Sequence, residues 1–315
     1  MNKRSYKNDS ALKKIIKAPF TAKTYAKLGE RLLLSKHHEC SAPQLFILGL
    51  PRSGTTLIYQ YIAHRLKVSY FTFGVGQHPY APCITTLAQR KLHGDYSSSF
   101  ESHYGKDALR NAVAPREAGA WWNRFFDKDN YVEFSNLEEQ QIQQIRNTIA
   151  CVQNIFGDMP FINKNVKHLL RIEALARIFP SSKFLIVERD IEDVAISILR
   201  GRHENLLDPS QWWSVRAPDY EELKCLSIEE QIAKQCISLK QKMEDDLSTL
   251  PNDRVFRIQY EDFCNAPEEL VRMIISAIDT SETKNHKQQR FKISSSCPQT
   301  QEETALIELV RELNK

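Results

Sequence analysis

Eight residues carry most of the chemistry visible in this chain: Gly49-Leu50-Pro51-Arg52-Ser53-Gly54-Thr55-Thr56. They follow an apolar run, Gln44 to Leu50, that reads as a buried strand, and they open a helix expected from about Thr55 to Leu66. A strand turning sharply into a helix aims backbone N–H groups and the positive end of the helix dipole at one point, which suits an anion. Gly54 permits close backbone approach, and Thr55 and Thr56 add hydroxyl donors. The spacing is that of the nucleoside-triphosphate loop G-x-x-x-x-G-K-[ST] with one change: Thr55 stands at the lysine position. Without that lysine the loop lacks its clamp on the β- and γ-phosphates. Arg52 is the loop's one cation, so the expected ligand is a smaller anionic group than a metal-bound triphosphate.

A second basic element lies downstream. Phe184 to Val187 reads as a strand that ends in Glu188-Arg189, and Ser197 follows two helical turns later. Arginine offers a planar multi-donor fork for phosphate oxygens, and the serine adds a hydroxyl from the same helix. Taken alone, Arg189 would equally serve as a surface ion-pair partner.

Taken together, the two elements resemble the sulfotransferase superfamily, whose members use 3′-phosphoadenosine-5′-phosphosulfate (PAPS). In that family the 5′-phosphosulfate loop reads Pro-[Arg/Lys]-[Ser/Thr]-Gly-Thr-[Thr/Ser], and Pro51 to Thr56 match it at every position. The family's strand–Arg–x7–Ser pattern, which binds the 3′-phosphate, is met by Arg189 and Ser197. Arg189-Asp-Ile-Glu-Asp193-Val resembles the usual Arg-Asp-Pro-x-Asp-Val, with Ile191 in place of proline. Further similarity lies in Asn163-Lys164-Asn165 through His168, where Val166 replaces a common proline, and in Ile178-Phe179-Pro180. Gln259-Tyr260-Glu261-Asp262 and the Trp212-to-Pro218 segment complete it, so the resemblance spans about residues 44 to 280.

The resemblance implies PAPS as co-substrate, no metal, and in-line transfer of a sulfuryl group to a hydroxyl or amine of a small molecule, glycan or lipid. Arg52 and the N–H groups of Ser53, Gly54, Thr55 and Thr56 would stabilise the charge that develops on sulfuryl and bridging oxygens. Arg189, Ser197 and, from a late basic segment with Lys287 and Lys292, Arg290 would hold the 3′-phosphate. The acceptor needs a general base, and three candidates stand open. Glu117 lies in a Glu-x-Gly-x-x-Trp stretch that looks like bacterial members, His78 in a Gly/Pro-rich loop, and His168 at a helix start. Trp121, Trp122, Trp212 and Trp213 are open as adenine platforms, acceptor walls or plain core.

These residues need a frame. Apolar strands are expected at 44–50, 68–73, 161–162, 183–187 and 254–259, with helices at 21–38, 55–66, 85–92, 106–113, 115–125, 137–156, 168–179, 191–202, 227–247, 267–278 and 301–313. Tyr25, Leu28 and Leu32 set the spacing of the first helix, and Asp190 is the expected N-cap of the one carrying Ser197. Strands alternating with helices predict an α/β fold, a P-loop-like parallel sheet of about five strands with helices on both faces and function at the strand C-terminal ends. Residues 44–315 read as one domain, preceded by a basic helical extension over 1–43.

Composition narrows the class. The 315 residues are 42% hydrophobic and 26% charged, ordinary for a globular chain, with no apolar run near the ~18 residues a membrane span needs. No secretory signal pattern opens the chain. Seven widely spaced cysteines without a CxxC pair argue against a disulfide framework or zinc site and fit a reducing, cytoplasmic setting. Residues 1–40 hold ten Lys/Arg and three Asp/Glu, whereas the body is slightly acidic. Nucleic acid is therefore not an expected partner, while residues 1–40 are expected either to be a solvated helix or to touch an anionic membrane surface. The sequence carries no signal of oligomeric state. Rival readings are a P-loop kinase-like phosphotransferase, which Thr55 opposes, and a non-catalytic protein that binds PAPS or its product nucleotide.

Overall fold

The computed structural model describes residues 20–36, 39–40, 42–98, 100, 111–283, 289–293 and 297–315. In chain order the elements are α1 (Phe20–Leu34), β1 (Gln44–Leu48), α2 (Thr55–Arg65), α3 (Pro82–His93), α4 (Gly119–Trp122), α5 (Glu139–Ile155), β2 (Phe161–Lys164), α6 (Ile172–Ile178), β3 (Lys183–Glu188), α7 (Ile191–Asn205), α8 (Tyr220–Leu223), α9 (Ile228–Ser248), β4 (Val255–Gln259), α10 (Tyr260–Asn265), α11 (Pro267–Ile278) and α12 (Gln301–Leu313). The strands form one parallel sheet in the order β2-β1-β3-β4. β1 and β2 are buried along their whole length, the polar Gln44, Asn163 and Lys164 at their ends included. Helices α7, α9 and α12 pack together, and α1, α3 and α5 form a second packed group. Because all four strands run the same way, their C-terminal ends lie along one edge. Each end leads into residues singled out by the sequence: Gly49 onward, Lys164, Arg189 and Tyr260.

The sheet has four strands rather than five. The segment expected as a strand at 68–73 makes one parallel bridge, Ser69 with Phe161, through Ser69 N–H to Pro160 O (2.8 Å) and Ile162 N–H to Ser69 O (2.8 Å). A parallel ladder cannot continue below it, because Pro160 has no N–H to offer. Lys67 N–H turns instead to Ser281 O. Above it, Phe71 O is taken by Arg116 N–H at 2.7 Å. The segment therefore serves as a strap that ties the 115–118 loop to the sheet edge.

Other elements differ in detail. The helix expected over 21–38 runs from Phe20 to Leu34, and two of the residues expected on its apolar stripe face outward: Leu28 is 54% and Leu32 61% exposed. The buried Glu30 explains the rotation, since its carboxylate accepts the N–H groups of Cys83 (3.1 Å) and Ile84 (2.9 Å) at the start of α3. The expected helix at 115–125 shrinks to α4, because Ala118 adopts a left-handed conformation (φ 52°). The one at 168–179 is split at Arg171 into a 3₁₀ segment, Val166–Leu170, and α6. Of the helix expected at 106–113, residues 106–110 lie outside the described residues and 111–113 are not helical. Asp190 caps α7 as expected, accepting the N–H groups of Glu192 and Asp193.

Candidate functional site

The loop after β1 turns through Gly49, and Ser53 N–H closes it on Leu50 O (3.2 Å). Gly54 (φ 89°) then starts α2, whose N-terminus has no side-chain cap. Its first N–H groups thus face the strand ends without an intrahelical acceptor, the usual geometry of an anion site. Gly54 is required for a reason the sequence did not suggest. A Cβ there would stand 2.3 Å from the ring of Tyr260, so the close neighbour is a side chain of this protein. Arg52 also adopts a left-handed conformation, φ 70°, at a cost of roughly 1–2 kcal/mol. Two bonds hold it there: Arg52 Nε donates to Ser197 Oγ (3.1 Å), and Arg189 Nη1 donates to Arg52 O (3.1 Å). The two phosphate elements read separately in the sequence are one hydrogen-bonded unit.

Arg189 is itself fixed by neighbours on two helices. Its Nη2 donates to Asp193 on α7 (3.4 Å), its Nε lies 4.0 Å from Glu261, and its guanidinium sits 4.9 Å from the ring centre of Tyr260 on α10. Such a clamp orients the guanidinium before any ligand arrives.

A cleft of about 580 Å³ opens over this unit, with Arg52, Gly54, Thr55, Thr56, Lys164 and Arg189 in its walls. Lys164, at the end of β2, was quoted in the sequence only as part of a resemblance. Its side chain is 9% exposed, and Nζ donates to Thr56 Oγ1 (3.2 Å) and to Glu117 Oε1 (2.5 Å). A lysine from the neighbouring strand thus stands beside the loop whose own lysine position is taken by Thr55. Its signal was available: a lysine closing an apolar strand beside the loop strand.

Glu117 is the base candidate that the structure brings to the cleft. Its side chain is 41% exposed, and it also lines an adjoining cavity of about 390 Å³ together with Thr56, Tyr59 and Arg116. The backbone around it is pinned from three sides: Arg116 N–H to Phe71 O, Tyr59 Oη and Asn163 Nδ2 to Arg116 O (both 3.3 Å), and Asn165 Nδ2 to Glu117 O (3.5 Å).

The two histidines lie elsewhere. His168 is fully buried in the core. Its Nε2 bonds Asn163 Oδ1 (2.7 Å), an oxygen that also accepts Trp122 Nε1–H (3.0 Å), and its Nδ1 accepts Arg171 Nε–H (3.0 Å). These partners fix the neutral Nε2–H tautomer. Burial, then the charges of Arg171 and Lys164, push its pKa well below the ordinary imidazole value. His78 sits half-buried in the turn after the 3₁₀ segment Phe73–Gly76 and is not among the described residues lining either cavity.

The remaining expected residues divide similarly. Ser53 is buried inside the loop rather than facing the cleft. Trp121 and Trp122 are core, fully buried against Phe71 and each other. Trp213 lines the cleft, lying over Gly201 of α7, where a Cβ would meet its ring at 2.5 Å. In the late basic segment Lys292, not the exposed Arg290, lines the cleft. Phe291 sets this choice by stacking on Phe263 (5.2 Å, 18°) and donating its N–H to Cys264 O (3.0 Å). Lys287 lies outside the described residues. No group of three or more metal-ligating side chains occurs among the described residues, and none of their helices is long and apolar enough to cross a membrane.

Comparison with known proteins agrees with this architecture. A profile described as "Sulfotransferase family" matches residues 43–284, and the chain belongs to that family. It is similar to the omega-hydroxy-beta-dihydromenaquinone-9 sulfotransferases Stf3 of Mycobacterium bovis and Mycobacterium tuberculosis, at 22% identity over 247 residues. That match covers 74% of this chain and 61% of theirs, so it reaches about three fifths of those curated relatives' length. Among solved structures, sulfotransferase STF1 of Mycobacterium tuberculosis matches with TM-score 0.50 and 11% identity over 91% of this chain and 75% of that one. The STF9 sulfotransferase of Mycobacterium avium gives TM-score 0.48 and 17% identity over 89% and 70%.

Proposed function

We propose that the chain moves the sulfuryl group of PAPS onto a hydroxyl or amine of a small molecule, glycan or lipid. One observation carries this reading: Arg52, Lys164, Arg189 and Lys292 converge on a single cleft over the uncapped N-terminus of α2, with Glu117 the one carboxylate among the described residues of its walls. The donor is a nucleotide with a 3′-phosphate and a 5′-phosphosulfate, and four cations beside a helix N-terminus suit two separated anionic groups. Arg189 with Ser197 would hold the 3′-phosphate and the loop the phosphosulfate. Lys292 rather than Arg290 would extend the 3′-phosphate side, and Trp213, Tyr260 and Phe291 offer aromatic surface for the base.

The chain's own groups then account for the transfer. Glu117 accepts the acceptor's proton, the acceptor oxygen or nitrogen bonds to sulfur, and the bond from sulfur to the bridging oxygen breaks. The electron pair leaves with the 5′-phosphate. Lys164 stands between Thr56 and Glu117, where it would meet the charge developing on that bridging oxygen and release the Glu117 carboxylate as it turns toward it. Arg52 and the loop N–H groups are fixed donors that add to this stabilisation, and no step calls for a metal.

The mycobacterial relatives, named as menaquinone-derivative sulfotransferases, favour a lipid among the acceptor classes. The exposed Leu28 and Leu32, with Lys27 and Arg31 on the same helix, support a peripheral membrane role for the N-terminal extension. We take residues 44–315 as the catalytic domain. The test is transfer of radiolabelled sulfate from PAPS to a panel of alcohols in the presence of a chelator. Product formation that persists with chelator and disappears in Glu117→Gln supports the reading. Strict magnesium dependence with ATP as donor would favour the kinase-like rival.

A further inference from the structure

A second cavity, of about 640 Å³, adjoins the donor cleft and bears the same electrostatic signature. Two separate chain segments contribute neighbouring residues to both. Val166 lines the cleft and Lys167 the second cavity, Trp213 lines the cleft and Trp212 the second cavity, and Ser214 lines both. The consecutive tryptophans thus line opposite spaces, with Ser214 (φ 72°) in the walls of both. A left-handed conformation at a non-glycine residue marks a backbone held by its surroundings.

The walls of the second cavity carry Lys128, Lys167, Arg216 and Lys224 against one carboxylate, Asp129. Lys167 pairs with Asp129 at 2.9 Å, and Lys224 pairs with Glu221 outside the cavity. Lys128 and Arg216 have no ion-pair partner among the described residues, and both act with Lys167 to lower the pKa of Asp129, so three cations converge on one anion. Arg216 stacks on Tyr220 at 4.1 Å, which holds its guanidinium over the cavity wall. Behind the wall lies Arg202, fully buried, bonded through Nη1 to Gln231 (2.8 Å) and lying 5.5 Å from the Trp212 ring centre. Its Nε and Nη2 have no hydrogen-bond partner, which adds further uncompensated positive charge. By contrast, a smaller surface cavity beside α9, about 410 Å³, balances Lys234 and Lys242 with Asp219 and Asp245.

We propose that this second cavity is an acceptor subsite that binds an oxyanion, a phosphate or sulfate already present on the molecule to be sulfated. The proposal rests on the donor assignment above and adds the class of acceptor. An anionic acceptor must approach an anionic donor, and like charges repel at close range unless fixed cations neutralise them. In the second cavity Lys128 and Arg216, which have no ion-pair partner among the described residues, supply that neutralisation.

The test is calorimetric titration of the full chain with glucose 6-phosphate, and separately with glucose, while adenosine 3′,5′-bisphosphate is held at saturation to fill the donor cleft. The phosphorylated sugar should bind, its affinity should fall as salt rises, and glucose should not bind. Lys128→Gln and Arg216→Gln should each weaken it about tenfold, the scale of one charge-assisted bond, with bisphosphate affinity unchanged. Lys128 is exposed, so its variant should fold normally. Equal binding of glucose, or no effect of either substitution, would overturn the proposal. Loss of bisphosphate affinity in these variants would also overturn it, by assigning the cavity to the donor. If bisphosphate itself fails to bind, the donor reading falls, and the response of sugar-phosphate binding to Lys128→Gln still decides the cavity. A further arm with dihexanoyl phosphatidylglycerol below its micellar concentration separates the sources, since tighter binding of that lipid would place the oxyanion on a lipid head group.

Discussion

Two residues bear most of the proposed chemistry, and each has a distinguishable signature. Glu117 sits where the 580 Å³ cleft meets the 390 Å³ cavity, so on the proposed reading its loss should affect turnover and not donor binding. For Glu117→Gln the expected fall in kcat is ~10²- to 10⁴-fold, the range of general-base catalysis, with bisphosphate affinity retained. A kcat near that of the parent protein would return the base role to another group. Arg189 should behave in the opposite way. Its guanidinium is held by Asp193, Tyr260 and the Arg52 carbonyl. Removing a buried, oriented charge from an anion site costs about 2 kcal/mol or more, roughly thirtyfold in Kd. Arg189→Ala with unchanged bisphosphate affinity would remove it from the site.

At the scale of elements, the architecture follows from how strands and loops share hydrogen bonds, and here the sequence was legible in part. The loop Pro51 to Thr56 and the Arg189–Ser197 helix were readable because chemistry and local structure coincide in contiguous residues. Lys164 was harder to assign, because its role arises only when the β2 end is placed beside the α2 start. The fifth strand failed because periodicity cannot register that Pro160 lacks an N–H or that Arg116 captures Phe71 O. His168 is a catalytic candidate by type, but Asn163 and Arg171 bond both its ring nitrogens, and Trp122, distant in sequence, shares the Asn163 oxygen and closes it into the core. That burial makes a prediction of its own. The folded protein holds the imidazole neutral with a lowered pKa, whereas the unfolded chain protonates it near pH ~6.5. Stability from this group is therefore full above about pH 6.5 and drains away as pH falls below it. Urea midpoints should drop between pH ~7.5 and ~5.5, and His168→Gln should flatten that dependence. An identical slope in the variant would show that other groups set it. Gly201 gives a second test of element packing. A methyl group there meets the Trp213 ring, so Gly201→Ala should cost ~1–3 kcal/mol by overpacking and displace the tryptophan that lines the cleft. Tryptophan fluorescence that still responds fully to bisphosphate would contradict that link.

For the whole molecule, charge is sorted rather than spread. The chain carries a net +4, yet residues 1–40 hold more than that excess, and four of the body's cations gather in each of the two adjoining cavities. The N-terminal basic helix shows Leu28 and Leu32 to the outside beside Lys27 and Arg31. Sedimentation with phosphatidylglycerol vesicles, absent with phosphatidylcholine and reduced in Leu28→Ser/Leu32→Ser, is the expected outcome. Equal sedimentation with both lipids would remove charge from the explanation. The central claim is narrower: one cleft recognises a 3′-phosphate and a 5′-phosphosulfate together, without a metal. Its most direct test is metal-free calorimetric titration with adenosine 3′,5′-bisphosphate, using ATP with magnesium as the comparison. Micromolar bisphosphate binding with none of ATP, abolished or strongly weakened by Arg189→Ala, is the result this structure predicts. No bisphosphate binding, or a preference for magnesium-ATP, would contradict it.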